Sequence, residues 1–128
     1  MSRAFAPKYI AEGTTIGPYT PAVRVGNFLF LSGQIGLDPA SGNLKADSIE
    51  TETRQVLRNI DRLLRAEGFD SSNVISASVY LREMNNFARM NAIYGSYFPQ
   101  GKYPVRTTVA VADLPKRANV EIAVIAYK

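Results

Sequence analysis

Residues 103–126, YPVRTTVAVADLPKRANVEIAVIA, decide the fold that this sequence predicts. They form two runs of β-branched and small apolar residues, which the polar segment 113–119 separates. Because side chains alternate between the two faces of a strand, both faces of both runs are mostly apolar. Strands of this kind are typical of sheets that are covered on both sides. The stretch therefore predicts a β-hairpin with two covered faces.

Two charged residues interrupt this apolar hairpin, Arg106 in the first strand and Glu121 in the second. A charge inside an apolar strand is costly unless it is paired or used. In a hairpin that turns near Pro115, Glu121 would lie opposite Ala110, about 13 Å from Arg106 at about 3.3 Å per residue. We therefore expect that the two charges do not pair with each other, and they are the best functional candidates in the chain.

The length and composition indicate one globular domain, residues 1–128, in which 46% of the residues are hydrophobic. No run approaches the about 20 consecutive apolar residues of a membrane-spanning helix. The N-terminus up to Pro7 is too short and too interrupted for a signal peptide. We expect a cytoplasmic protein, or a mitochondrial one in a eukaryote, without a membrane partner.

The chain contains neither cysteine nor histidine. These absences exclude disulfides, thiol nucleophiles, Ser-His triads and metal sites built from thiolates or histidines. No metal site is predicted. Acid–base chemistry would have to come from Asp, Glu, Lys, Tyr or an ordered water. The net charge of +4 permits an anionic partner, but many soluble domains share it.

The periodicity along the chain predicts the order β-β-β-α-β-α-β-β. Residues 1–21 are punctuated by glycine and proline and contain one short strand near Lys8–Ile10. Gly26-Asn27 between Ala22–Val25 and Phe28–Leu31 indicates a hairpin with a two-residue turn. Phe28–Leu31 is apolar on both faces, so we expect both to be covered. A further strand over Val74–Arg82 is indicated by alternation, with one face formed by Ile75, Ala77, Val79 and Leu81.

The first helix is predicted to begin at Asp47 or Ser48, because Asp47 and Glu50 have capping-box spacing, and to end at Gly68. Its apolar stripe is predicted to be buried and consists of Ile49, Thr53, Val56, Leu57, Ile60, Leu63 and Leu64. The opposite face carries Arg54, Arg58, Arg62 and Arg65. We interpret it as a solvated face with the pairs Glu50–Arg54 and Asp61–Arg65. A nucleic-acid surface is less favoured, because no aromatic residues interleave.

The second helix is predicted to run from a cap at Asn85 or Asn86 to about Tyr97. One side of it carries Phe87, Met90, Asn91, Tyr94, Tyr97 and Phe98. Two helices can cover only one face of the sheet, although the strands are apolar on the other face too. Another copy of the chain is the expected cover, since exposed apolar faces usually mark interfaces.

Several motifs resemble those of the RidA/YjgF (reactive-intermediate deaminase A) family, and the resemblance covers nearly the whole chain. They are Gly17-Pro18-Tyr19, Leu31–Ile35, Asn91–Tyr94, Tyr103–Val109, Leu114-Pro115 and Val120–Ile122. The resemblance implies an α+β, chorismate-mutase-like single domain, with a mixed β-sheet and two helices packed on one face. It also implies a homotrimer with a central barrel and three sites in the clefts between subunits.

The activity that the resemblance implies is hydrolysis of 2-imino or enamine acids, such as 2-iminobutanoate and 2-iminopropanoate, to 2-keto acids and ammonia. No cofactor is required. By resemblance, Arg106 clamps the substrate carboxylate, a task that suits the planar guanidinium fork. Glu121 positions or activates the attacking water, and Tyr19 is the phenol that lines the pocket. An imine is already electrophilic, so one arginine, one carboxylate, one phenol and backbone donors would suffice.

The resemblance also implies four further substrate-binding positions. Gly33 would contribute a backbone contact, Ser32 and Asn91 would line the pocket wall, and Thr108 would be a further substrate-binding position. At Thr108 many relatives carry cysteine.

Two other functions remain open. One is an RNA-binding or endoribonuclease trimer of the translation-inhibitor type, and nucleic acid is the less favoured partner. The other is a non-catalytic binder of small metabolites that uses the same carboxylate pocket. Family members have been assigned several roles, including chaperone, so the resemblance alone does not decide between them.

Overall fold

The computed structural model describes residues 6–11 and 15–128. Residues 1–5 and 12–14, which belong to the stretch predicted to be punctuated by glycine and proline, lie outside this description. The described residues form six strands and two α-helices in the predicted order. They are β1 (Lys8–Ile10), β2 (Ala22–Val25), β3 (Phe28–Leu31), α1 (Ile49–Ala66), β4 (Val74–Leu81), α2 (Phe87–Tyr97), β5 (Val105–Ala110) and β6 (Val120–Tyr127). No helix within them is long and apolar enough to cross a membrane.

The strands form one mixed sheet in the order β1-β2-β3-β6-β4-β5. Only β4 and β5 run parallel, and the other neighbours are antiparallel. The predicted hairpin of β2 and β3 is confirmed, with Val25 paired to Phe28 across the turn. The predicted mixed sheet with two helices on one face is confirmed as well.

The predicted hairpin of β5 and β6 is wrong, because β4 lies between them. Arg106 pairs with Ala77 of β4, while Glu121 pairs with Tyr80 rather than lying opposite Ala110. The connection between β5 and β6 contains the short 3-10 turn Pro115–Arg117 and is long enough to cross one strand. Hydrophobic alternation shows which face a residue occupies but not which strand is its neighbour.

Helix α1 begins at the second of the two predicted caps. Ser48, not Asp47, is the N-cap, and its hydroxyl oxygen accepts a hydrogen bond from the Thr51 backbone N–H at 3.0 Å. Gly68 follows the helix with a φ of +79°, which glycine adopts at no steric cost. The whole predicted apolar stripe of α1 is buried.

The ion pairs of α1 agree only partly with those predicted. Asp61 and Arg65 pair at 2.8 Å as expected. The predicted Glu50–Arg54 pair is wrong, because Glu50 accepts two hydrogen bonds, at 2.7 and 3.0 Å, from Arg89 of α2. A bidentate contact between two helices replaces a pair along one helix, and it leaves Arg54 without this partner.

One strand departs from simple alternation. Between Val74 and Ser76 the pairing of β4 with β6 shifts by one residue, so that Ile75 bulges out of the ladder. Ile75 is therefore exposed and does not share the buried face of Ala77 as predicted.

The face of the sheet opposite the helices is open and apolar in the single chain. Its exposed side chains include Phe28, Phe30, Val105, Val109 and Tyr127. Val105, on the edge strand β5, is 73% exposed. Strands β3, β5 and β6 are therefore not covered on both faces within one chain. This agrees with the prediction that two helices can cover only one face of the sheet.

A buried carboxylate ties α1 to the connection before β6. Glu52 is fully buried and accepts hydrogen bonds from the backbone N–H and the side-chain amide of Asn119, at 2.7 and 2.8 Å. A third bond comes from the Val120 backbone N–H at 3.3 Å. The carboxylate thereby fixes the segment that leads into the strand carrying Glu121.

We expect Glu52→Gln to lower the free energy of unfolding by about 1–3 kcal/mol. The amide nitrogen of the new side chain cannot accept a hydrogen bond from the buried N–H groups of Asn119 and Val120, so at least one of them would lose its partner. Urea denaturation measures this change. Glu83→Gln is the matched control, since Glu83 is exposed and makes no side-chain cap, and it should leave the urea midpoint nearly unchanged. Equal midpoints for the two variants would show that the Glu52 contacts do not stabilise the fold.

Candidate active site

Arg106 lies on the helix-facing side of β5 and is held by side chains of α2. Its Nη1 donates a hydrogen bond to Asn91 Oδ1 at 2.7 Å. The guanidinium carbon lies 4.8 Å from the ring centroid of Tyr94 and 5.5 Å from that of Phe87. These distances are typical of cation–π contacts, so three residues of one helix fix the direction of the guanidinium.

The spacing of these three residues explains the arrangement. Phe87, Asn91 and Tyr94 are four and three residues apart, which places them on one face of α2. Among the described residues, Asn91 is the only hydrogen-bond partner of the Arg106 side chain. The other guanidinium N–H groups are therefore available for a bidentate contact with a carboxylate.

Glu121 lies on the opposite face of the sheet, beside the backbone of Gly33. A Cβ atom at position 33 would lie 2.8 Å from the Glu121 carboxyl carbon, so a side chain there would displace the carboxyl group from its present position. The carboxyl group is half-buried and has no hydrogen-bond or ionic partner among the described residues. Burial raises its pKa above the ordinary value. A carboxylate with a raised pKa is a better proton acceptor near neutral pH.

Tyr19 and Ser32 belong to the same neighbourhood as Gly33. Tyr19 and Gly33 both line a cleft of about 500 Å³. The Ser32 hydroxyl donates to the Thr20 carbonyl, and the Ser32 backbone N–H donates to the Pro21 carbonyl at 2.9 Å. The Ser32 hydroxyl thus anchors the segment next to Tyr19 in this chain.

The predicted site residues therefore fall into two groups. Arg106, Asn91 and Thr108 lie on the helix side of the sheet, whereas Glu121 lies on the open side next to Gly33. At about 4.8 Å between strands and about 3.3 Å per residue, the backbones of Arg106 and Glu121 are about 14 Å apart. The prediction that Arg106 and Glu121 do not pair holds among the described residues, although the β5–β6 hairpin from which it was argued is wrong.

Thr108 lies on the same face of β5 as Arg106, two residues along the strand. Its hydroxyl oxygen is buried and has no hydrogen-bond partner among the described residues. The hydroxyl of Tyr94, buried under the Arg106 guanidinium, is likewise without a partner there. Burial raises the pKa of Tyr94. It therefore stays a neutral phenol next to the guanidinium.

Phe87 and Tyr94 have no predicted functional role. The sequence predicts both on the apolar side of the second helix, where aromatic residues usually form core. Their spacing relative to Asn91 was a usable signal, because all three face the strand that carries Arg106.

Comparison with solved structures defines the class of the fold. A conserved Rid-family protein from Yersinia pestis has a TM-score of 0.90 at 39% identity, over 96% of this chain and 100% of that one. TdcF of E. coli, solved with bound serine, has a TM-score of 0.86 at 35% identity, over 92% of this chain and 94% of that one. The chain has the Rid-type fold, a single small α+β unit.

Sequence comparison then gives the family. The family described as Endoribonuclease L-PSP matches residues 10–128. The chain belongs to this family, which is the RidA/YjgF family, and the resemblance seen in the sequence is confirmed. Over 113 residues, 88% of this chain, it is 49% identical to a RutC family protein of Pyrococcus horikoshii, covering 89% of that protein. Over the same share it is 45% identical to the 2-iminobutanoate/2-iminopropanoate deaminase of Mus musculus, covering 83% of that enzyme.

Proposed function

We propose that this chain is a cofactor-independent deaminase that hydrolyses 2-imino and enamine acids, such as 2-iminobutanoate and 2-iminopropanoate, to 2-keto acids and ammonia. The observation that carries the proposal is the pre-oriented Arg106, whose remaining N–H groups suit a substrate carboxylate. The similarity to mammalian 2-iminobutanoate/2-iminopropanoate deaminases supports the same substrate class. The serine bound to the related TdcF is itself a small carboxylate.

The chemistry requires little machinery. Arg106 holds the carboxylate, and Glu121 accepts a proton from water as the water oxygen adds to the imine carbon. The imine enters protonated from solvent, so addition of the water oxygen leaves a neutral amine on the carbinolamine. Glu121 returns its proton to this amine nitrogen, and the carboxylate then takes the hydroxyl proton as the carbonyl forms and the C–N bond breaks to release ammonia. The Tyr19 phenol can donate a hydrogen bond to the carbonyl oxygen.

The placement of Arg106 and Glu121 on opposite faces supports a site that two copies of the chain complete. In this arrangement Arg106, Asn91 and Thr108 come from one subunit, and Glu121, Gly33, Ser32 and Tyr19 come from its neighbour. A closed ring of three such contacts would cover the open apolar face, which a monomer leaves exposed.

We therefore expect the protein to be a homotrimer. Light scattering coupled to size exclusion should give three times the chain mass of 14.1 kDa. The oligomer should persist at micromolar concentration, because burial of an apolar sheet face is favourable. A stable monomer under these conditions would contradict the shared site.

A coupled assay tests the proposed activity. A threonine or serine dehydratase releases the imino acid, and keto-acid formation is measured with and without this protein. The expected result is faster release with the protein, and an unchanged rate would refute the deaminase proposal. Ligand binding without turnover would indicate the metabolite binder instead.

An endoribonuclease is the second candidate, because the family description names that activity. RNA cleavage by this chain would survive Arg106→Ala and fall steeply with salt, since it would depend on phosphate contacts elsewhere. Cleavage that disappears with Arg106→Ala would instead place any RNA chemistry in the deaminase site.

A further inference from the structure

The exposed side of α1 carries a row of arginines without carboxylate partners. Arg54, Arg58 and Arg62 follow at intervals of four residues, so they lie along one side of the helix over about 12 Å. None of the three makes an ion pair or a side-chain hydrogen bond within residues 6–11 and 15–128. The face is solvated, as the sequence predicted, but the predicted Glu50–Arg54 pair is absent from it.

The carboxylates that could neutralise this row are engaged elsewhere. Glu50 is bound by Arg89, and Glu52 is buried against Asn119. Asp61 uses one oxygen to accept a hydrogen bond from the Tyr97 hydroxyl at 2.7 Å and the other to bind Arg65. The row therefore keeps a positive charge that α1 does not compensate.

These arginines line a groove between α1 and α2 of about 400 Å³, together with Asp61, whose carboxylate is held by Tyr97 and Arg65. Leu57, Ile93 and Tyr97 supply apolar and aromatic surface to the same groove. The bond to Asp61 fixes the Tyr97 ring in its wall. The groove lies on the helix side of the sheet, away from the open apolar face, so covering that face would leave the groove accessible.

We propose that this groove binds a small organic phosphate with an apolar or aromatic body, of about the size of a mononucleotide. A phosphate group carries about two negative charges at neutral pH and several acceptor oxygens, which suits two or three guanidinium groups. The body of the ligand would pack on Leu57, Ile93 and Tyr97. A groove of this volume lies within the range of sites for small ligands. Arg106 and Glu121 do not line this groove. Arg62 also lines the cleft that contains Tyr19 and Gly33, whereas Arg58 lines only the groove.

Calorimetry with the full chain tests this binding, with adenosine 5′-monophosphate (AMP) as the probe. AMP should bind. Adenosine lacks the phosphate group and inorganic phosphate lacks the aromatic body, so each should bind at least about tenfold more weakly. Arg58→Gln should weaken AMP binding by about tenfold or more. Rates in the dehydratase-coupled assay should not change in this variant.

Two control variants remove a positive charge outside the groove. Lys45→Gln alters a residue that pairs with Asp38, and Arg106→Ala alters the proposed carboxylate clamp. Both should leave AMP affinity unchanged, and melting curves should show that all variants are folded. The proposal is overturned if AMP does not bind, or if Arg58→Gln affects binding no more than Lys45→Gln. It is also overturned if AMP binding disappears with Arg106→Ala, or if a 12-nucleotide single-stranded RNA binds more tightly than AMP through the same arginines.

Discussion

A Glu121→Gln variant should keep its fold and lose turnover by about 10²–10⁴-fold in the coupled deaminase assay, the usual cost of losing a positioned general base. Ground-state binding of a 2-keto acid should change little, because Gln has nearly the same shape. Steady-state kinetics and calorimetry on one preparation measure both effects. A folded Glu121→Gln protein with full activity would refute the role of Glu121 and assign water activation to backbone groups and Tyr19.

The same variant also separates catalysis from structure through its pH dependence. Burial raises the pKa of Glu121, so ionising the carboxyl destabilises the native state as pH rises through that pKa. Above it, Glu121→Gln should melt at the same temperature as the wild type or higher. Below the pKa of a glutamate in the unfolded chain, about 4.3, the carboxyl is protonated in both the native and the unfolded state. The difference in melting temperature between the variant and the wild type should vanish there. A variant that melts well below the wild type at pH 7 would indicate that Glu121 pairs with a cation.

Arg106→Lys should keep the oligomer but lose most carboxylate-dependent binding. An ammonium is a point charge and cannot reproduce the planar fork that Asn91, Tyr94 and Phe87 orient. We expect a loss of about 2–5 kcal/mol in 2-keto acid affinity, measured by calorimetry. Arg106→Ala should raise the Michaelis constant as well as lower turnover, because Arg106 holds the substrate throughout the reaction.

Lys102→Ala is a control for Arg106, because it removes an exposed positive charge from the turn before β5. Its 2-keto acid affinity should match the wild type. Unchanged affinity in Arg106→Lys would show that a point charge is enough and would contradict the clamp.

Local features of the fold were predictable from the sequence. All seven residues that the three- and four-residue repeat of α1 identified are buried, although Glu52, Gln55 and Asn59 are buried as well, and Gly26-Asn27 identified the β2–β3 turn. Each of these depends on neighbours in the sequence, which periodicity and turn chemistry describe well.

The relation between Arg106 and Glu121 was not predictable in the same way. Alternation of apolar and polar residues shows which residues of one strand share a face. Whether residues of two different strands lie on the same face of the sheet depends on how the strands pair, which alternation does not show. Insertion of β4 between β5 and β6 placed the two charges on opposite sides of the sheet. The choice of Arg89 rather than Arg54 as the partner of Glu50 likewise depends on packing between helices.

The central claim, that two copies complete one deaminase site, is tested most directly with mixed oligomers. Arg106→Ala and Glu121→Gln chains, each nearly inactive alone, are unfolded together in equal amounts and refolded. If each site takes Arg106 from one subunit and Glu121 from its neighbour, random assembly restores both residues at about a quarter of the sites. We predict that the coupled assay recovers about a quarter of wild-type activity. Mixed oligomers that assemble but stay as inactive as the separate variants would contradict the account.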